Sequence, residues 1–233
     1  GHASAPSKGT PIARLSAFVN EVETHSPFRK KLLPEVSAMF TELAPYAGFG
    51  MKLVFGNVWL FGPVLKAVMP AISAQAGAML KTTIAFTVQK GSDAYNVLPQ
   101  EAYVGANMRF IPHQGEKESL EIIKKVAGKY GLETEVLHAN DYTPPVDIHG
   151  EAFHLVEQTI ADTFPGLPSS PYVMTGATDA QFYHPICKSC IRFAPVIYGP
   201  EQMKGMHGLN ENIEYNCLPG AVRFYKNLIR AEK

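Results

Sequence analysis

The chain reads as an α/β protein, with an α+β half followed by a half of α/β character. Three observations predict this. The stretch "EAYVGANMRFIP" alternates: Ala102, Val104, Ala106, Met108 and Phe110 face one way, while Tyr103, Asn107 and Arg109 face the other. Residues 116–130 change period, setting Leu120, Ile123 and Ala127 on one side of a helix. Beyond the Pro-rich break "NDYTPPVD" at 140–147, apolar runs, small-residue loops and helical patterns alternate, as in an α/β sheet fold.

Taken in order, Thr10 and Pro11 open a first helix carried by Ile12, Leu15, Phe18, Val19 and Val22, and His25–Ser26–Pro27 ends it. Residues 28–78 form a Pro-broken helical insertion. Its segment 51–76 is apolar but cut by Lys52, Asn57, Gly62–Pro63, Lys66 and Pro70. It falls short of the roughly 20 continuous apolar residues of a membrane span. The expectation is an insertion packed on the body or on a second subunit. "KTTIAFTVQKG" is rich in β-branched residues and reads as a strand, and "LETEVLHA" at 132–139 as another. Helix, strand, strand, helix, strand suggests a small open-faced sandwich with an antiparallel sheet. In the second half, 151–164 is a helix through Phe153, Val156 and Ile160. "PYVMTGATDA" and "CIRFAPV" read as strands, and Pro219 starts a last helix through Val222, Tyr225 and Leu228. Functional groups are expected at the loops after the strands.

Composition narrows the function. With 46% hydrophobic and 18% charged residues, 233 residues can bury a core. Twenty-one basic and 21 acidic residues cancel, giving no electrostatic reason to expect nucleic acid or a membrane as partner. Three cysteines make no disulfide framework and point to a reducing, cytoplasmic setting. The chain opens on "GHASAP" without a signal-peptide pattern, as though already inside a domain.

Several residues are candidates for chemistry. In "KGMHGLNENIEY", His207 lies between glycines. It is either a metal ligand or a turn residue, with Asn210 and Glu211 able to orient the ring or simply be solvated. "HPICKSC" spaces Cys187 and Cys190 as a zinc knuckle or redox pair would. Without a second ligand pair or a helix start, structural or incidental thiols are the favoured reading over a thiol enzyme. "TGATDA" would allow close approach of a ligand, with Asp179 available to hydrogen-bond. Arg109 and Asn96 could together grip a carboxylate, or belong to a solvated sheet face. Serine-hydrolase and nucleotide-loop motifs are absent.

Four stretches link these positions. "GHASAP", "NVLPQEAYVGANMRFIP", "TGATDA" and "GMHGLNENI" come in this order along the whole chain. Together they resemble the two-zinc aminoacylase/carboxypeptidase family of metallopeptidases, and most of all its Gly-X carboxypeptidase and N-acyl-amino-acid hydrolase branch. The resemblance implies a dimerisation (lid) domain of two helices on a four-stranded antiparallel sheet over residues 1–141. Residues 142–233 then form the C-terminal part of an α/β catalytic domain. It implies that His207 is a zinc ligand, and that His2 reaches the partner subunit's site to hold an oxyanion. Asn96 and Arg109 would contact substrate, the arginine through a free carboxylate, with Thr178 and Asp179 bordering the site. Gln181 stands where close relatives often have arginine, which would weaken carboxylate binding. The family's H-x-D motif, Glu–Glu pair and further acidic ligand lie upstream of the lid and do not occur here. The resemblance therefore implies a homodimeric hydrolase of peptides or N-acyl amino acids with two zinc ions per intact site. This chain alone is expected to retain no zinc and to be inactive. The alternative from another class is a non-catalytic dimerisation or ligand-binding module.

Overall fold

The computed structural model describes residues 1–232. Two compact units are present. One comprises Gly1–Leu33 and Val58–Pro144; the other comprises Pro34–Asn57 and the chain from Pro145 onward.

In the first unit, helix α1 (Pro11–Thr24) begins where Thr10 Oγ1 accepts from the Ala13 N–H at 3.3 Å, with proline in its first turn. Its buried side is Leu15, Phe18 and Val22, and the last two meet helix α6 (Glu116–Lys129; α2–α5 follow below) through Ile123, Val126 and Ala127. Strands β1 (Thr83–Lys90) and β2 (Tyr103–Arg109) pair antiparallel, from Thr83 opposite Arg109 to Lys90 opposite Tyr103, with a bulge between Phe86 and Val88. Ile84, Phe86, Val104 and Met108 close the core from the sheet side, and Phe18 sets its edge on Phe86 at 5.6 Å. Two helices on a sheet thus follow from the period-two and helical patterns.

The sheet is smaller than expected. Among the described residues it has two strands, not four, supplemented by an isolated bridge between His2 and Val97. Residues 132–139, expected as a strand, form no ladder. Val136 and Leu137 are 44% and 89% exposed, so their alternation buries neither face and gives the segment nothing to pair for.

A buried polar knot joins the parts. The carbonyl of Gln114 accepts from the Thr82 and Ser119 hydroxyls at 3.0 and 2.7 Å, and all three residues are at most 1% exposed. The Gln114 amide oxygen accepts from the Arg29 N–H at 3.1 Å. Helix α6 has only Gly115 at its cap, so its first amide is served from outside: Asp141 Oδ1 accepts from the N–H groups of Glu116 and Tyr142 at 2.9 and 2.8 Å. A Cβ on residue 115 would lie 3.0 Å from that carboxylate, which explains the glycine. On the other end, Glu21 accepts from the Tyr130 hydroxyl and, at 2.9 Å, from Lys129. Those two bonds hold its carboxyl below the ordinary range.

The helical insertion consists of α2 (Pro34–Leu43), α3 (Phe49–Gly56), α4 (Val58–Ile72) and α5 (Ala74–Ala78). Phe40 stacks on Phe55 at 4.7 Å, tying α2 to α3 in the second unit. In the first unit α5 turns back on α4, where a Cβ at Gly77 would approach Pro70 to 3.2 Å. No single described helix is long and apolar enough to cross a membrane.

The second unit is organised by α7 (Glu151–Thr163) and α10 (Leu218–Ala231). Ile160 of α7 and Phe224 of α10 are both buried, and Asn227 donates to the Thr163 hydroxyl at 3.0 Å. Helices α8 (Ala180–Tyr183) and α9 (Pro200–Gly205) are short. The strands expected in "PYVMTGATDA" and "CIRFAPV" are not formed. Phe193 packs on Phe224 at 4.9 Å, so "CIRFAPV" is held by a side chain while its backbone finds no ladder partner among the described residues.

Gln114→Leu leaves the Arg29 N–H without its acceptor and is expected to cost about 1–3 kcal/mol in urea unfolding. Phe18→Ala is expected to cost about 3–5 kcal/mol. Because the Glu21 carboxyl is depressed in the fold, its contribution is present above its unfolded pKa and fades as pH falls through the folded one. Stability curves of wild type and Glu21→Gln should therefore diverge at neutral pH and converge in acid.

Candidate functional site

His207 adopts φ 59°, the one positive φ at a non-glycine among the described residues. Asparagine, aspartate and histidine tolerate that region better than other side chains do, yet it remains strained. The turn that imposes it closes main chain on main chain: Gly208 N–H donates to the Gly205 carbonyl at 2.8 Å. A Cβ at either glycine would come within 3.1 Å of a backbone oxygen, of Asn210 for Gly205 and of Gly205 for Gly208. Glu211 accepts from the His207 backbone N–H at 3.2 Å, so it steadies the turn and leaves the imidazole exposed. Asn210 also acts through its backbone, its carbonyl accepting from Asn212 Nδ2 at 2.8 Å.

That amide belongs to a clamp the sequence reading missed. Gln202, 9% exposed, donates to Asn212 Oδ1 at 3.2 Å and accepts from the Gly199 N–H at 3.1 Å, pinning α9 to the stretch after His207. The available signal was the amide-rich run "NEN" shortly after the helix that carries Gln202.

Also in the second unit, Thr178 is half-buried and Asp179 exposed at the start of α8. Their carbonyls accept from the Gln181 and Phe182 N–H groups at 3.2 and 2.9 Å, which leaves the Asp179 carboxylate outside the helix cap. Cys187 and Cys190 lie in a turn with free thiols, Cys190 donating to the Cys187 carbonyl at 3.1 Å. Burial first, then the neighbouring Cys187, pushes the Cys190 thiol upward, the opposite of what a nucleophile needs.

In the first unit the structure brings His2 and Asn96 together. Residues 1–3 run beside the β1–β2 connection, with Ala3 N–H to the Asn96 carbonyl at 3.0 Å and Leu98 N–H to the Gly1 carbonyl at 2.7 Å. His2 Nδ1 accepts from the Ser4 N–H at 3.2 Å and lies 2.8 Å from the Ser4 hydroxyl. An Nδ1 that accepts puts the ring hydrogen of a neutral imidazole on Nε2, so the exposed tip is a donor. Arg109 is elsewhere: it ends β2, six residues and roughly 20 Å along the strand from the end nearest Asn96. Its guanidinium is exposed on the outer sheet face, and no carboxylate among the described residues pairs with it.

A catalytic metal takes about three protein ligands. No three His, Cys, Asp or Glu side chains converge among the described residues, so this donor set does not by itself fit a metal ion. His207 offers one exposed imidazole and no companion.

If the turn serves the imidazole rather than stability, His207→Gly should leave thermal unfolding unchanged or raise stability by up to about 1 kcal/mol. Gly208→Val should be clearly destabilising.

Comparison with known proteins gives this geometry its setting. The chain is 32% identical over 238 residues to the N-fatty-acyl-amino acid synthase/hydrolase PM20D1 of Xenopus tropicalis, covering 99% of this chain and 45% of that protein. The human protein of the same name is also 32% identical, with 99% and 46% covered. A probable carboxypeptidase S-like protein of Dictyostelium discoideum is 25% identical over 231 residues, with 99% and 44% covered. The chain therefore spans about half the length of the curated relatives it matches. Among solved structures, the M20 family metallo-carboxypeptidase Sso-CP2 of Sulfolobus solfataricus aligns with a TM-score of 0.55 and 14% identity, over 99% of this chain and 54% of that one, and so shares the fold. The sequence profile of peptidase family M20/M25/M40 matches residues 25–231, and the chain belongs to that family.

Proposed function

We propose that this chain supplies the lid and the C-terminal catalytic wall of a hydrolase that cleaves an amide bond next to a free carboxylate. The substrates would be N-acyl amino acids or C-terminal peptide bonds, in a homodimer with two zinc ions per site. The names of the relatives, an N-fatty-acyl-amino acid hydrolase and a carboxypeptidase S-like protein, support this substrate class. The observation that carries the reading is the exposed imidazole of His207, held on a strained turn that glycine backbones close and that burial does not explain.

His207 is then one ligand of a metal centre whose other donors lie outside these residues. What the chain's own groups do is bind and orient. The Arg109 fork can take a carboxylate in two parallel hydrogen bonds. His2, with Nε2–H outward, and Asn96 beside it can donate to an oxygen that gains negative charge as the amide is attacked. The roughly 20 Å between the ends of β2 is too long for one small substrate to touch Arg109 and Asn96 of the same lid. This favours His2 and Asn96 serving a partner subunit's site. Thr178 and Asp179 would border the bound substrate.

The test uses a polypeptide that joins this chain to the remaining half of a family catalytic domain, loaded with zinc. His207→Ala should reduce hydrolysis of N-acyl amino acids by more than the roughly 10–100-fold that loss of an outer partner costs. His2→Ala should lower kcat by about 100-fold or more. Arg109→Ala should act mainly on KM. The 233-residue chain alone should hold near-zero zinc after dialysis. A zinc-loaded protein that cleaves neither bond type and sediments as a dimer would instead establish the non-catalytic module.

A further inference from the structure

Helix α4 is apolar on both sides. Val58, Gly62, Leu65 and Met69 pack inward, while Trp59, Leu60, Val64, Val68 and Ile72 are 45–81% exposed. Its one charged residue is Lys66. A helix on the surface of a globular protein normally turns a polar side to water, and an exposed apolar stripe of this extent marks a contact surface.

The charges in its own stretch of chain are of one sign. Residues 43–92 contain no aspartate, glutamate or arginine, and four lysines: 52, 66, 81 and 90. At Gly62 the helix is approached by Leu32, whose Cδ2 would lie 3.9 Å from a Cβ there. That brings the exposed Lys30 and Lys31 to the edge of α4. The Lys31 N–H donates to the Leu80 carbonyl at 2.8 Å, next to Lys81. Lys81 and Lys30 are close enough to repel. The chain-wide cancellation of charge therefore hides a local basic rim on an apolar stripe.

We propose that α4 docks on an anionic phospholipid surface. It would lie along the interface, with Trp59, Leu60, Val64, Val68 and Ile72 among the outer acyl carbons and Lys30, Lys31, Lys66 and Lys81 against the headgroups. For the outer side of α4 the sequence predicts cover by the body of the protein or by a second copy, and a second copy is an outcome of the test below. In a two-fold dimer the same patch meets itself, so Lys30, Lys31, Lys66 and Lys81 would face their own like charge. An anionic headgroup layer supplies the missing sign, and interfacial tryptophan is favoured at that depth. At 15 residues, about 22 Å, the helix is suited to lie in the surface.

Trp59 is the only tryptophan, so its emission reports on this face alone. The full 233-residue chain is titrated with vesicles of phosphatidylcholine, with and without phosphatidylserine, while emission and co-sedimentation are followed. The expected result is a blue shift and sedimentation with phosphatidylserine vesicles, both weakened by salt. The double variant Val64→Asp/Val68→Asp should abolish both while keeping its circular dichroism, since both positions are exposed. Lys30→Ala and Lys31→Ala should each weaken binding roughly fivefold. No shift, or equal binding to phosphatidylcholine alone, would overturn the proposal. So would a shift that grows with protein concentration in the absence of lipid together with a doubled solution mass, which would identify a second copy as the occupant.

Discussion

The first compact unit depends on one carbonyl that water does not reach. Gln114 accepts from Thr82 ahead of β1 and from Ser119 inside α6, and its side chain holds the backbone at Arg29. A buried carbonyl without partners is costly, so the three segments are obliged to meet in one arrangement. Once β1 is fixed, the register with β2 follows, and with it the outer face that carries Arg109 and the connection that pairs with residues 1–3. The hydrophobic core of Phe18, Val22, Ile123 and Val126 supplies the drive to collapse, and the polar knot supplies the single geometry.

The two histidines of interest are held by opposite means. His2 is positioned by hydrogen bonds to its ring, which select the tautomer and leave Nε2 outward. His207 is positioned by its backbone, in a turn whose closure uses glycine and amide groups while the ring bonds to no group among the described residues. A donor that must present a hydrogen benefits from a fixed tautomer. An imidazole that ligates a metal is ordinarily oriented by a partner on its other nitrogen, and the His207 ring has none among the described residues.

Legibility in the sequence tracked how local each feature is. The helices α1, α6, α7 and α10 were readable because a helix satisfies its own backbone, so period and cap residues such as Thr10 suffice. Strands were readable only where the chain itself brings a partner, as β1 and β2 do. The alternation in 132–139 and the apolar runs around residues 173 and 193 describe half-burial, which an extended segment can reach without a ladder. At the site, glycines flanking His207 signalled a special turn, whereas the Gln202–Asn212 clamp acts across a helix and left only a run of amides. The lipid-facing character of α4 was hidden for another reason. Overall neutrality says nothing about where the lysines are.

The cap of α6 comes from Asp141, a carboxylate on the stretch that leads from one compact unit into the other. A helix start is thus wired to a tether. Loss of that carboxylate takes the acceptor from the Glu116 amide and loosens the first turn of α6. The order of that first turn and the order of the chain at residue 141 are therefore one quantity, and whatever frays one frays the other.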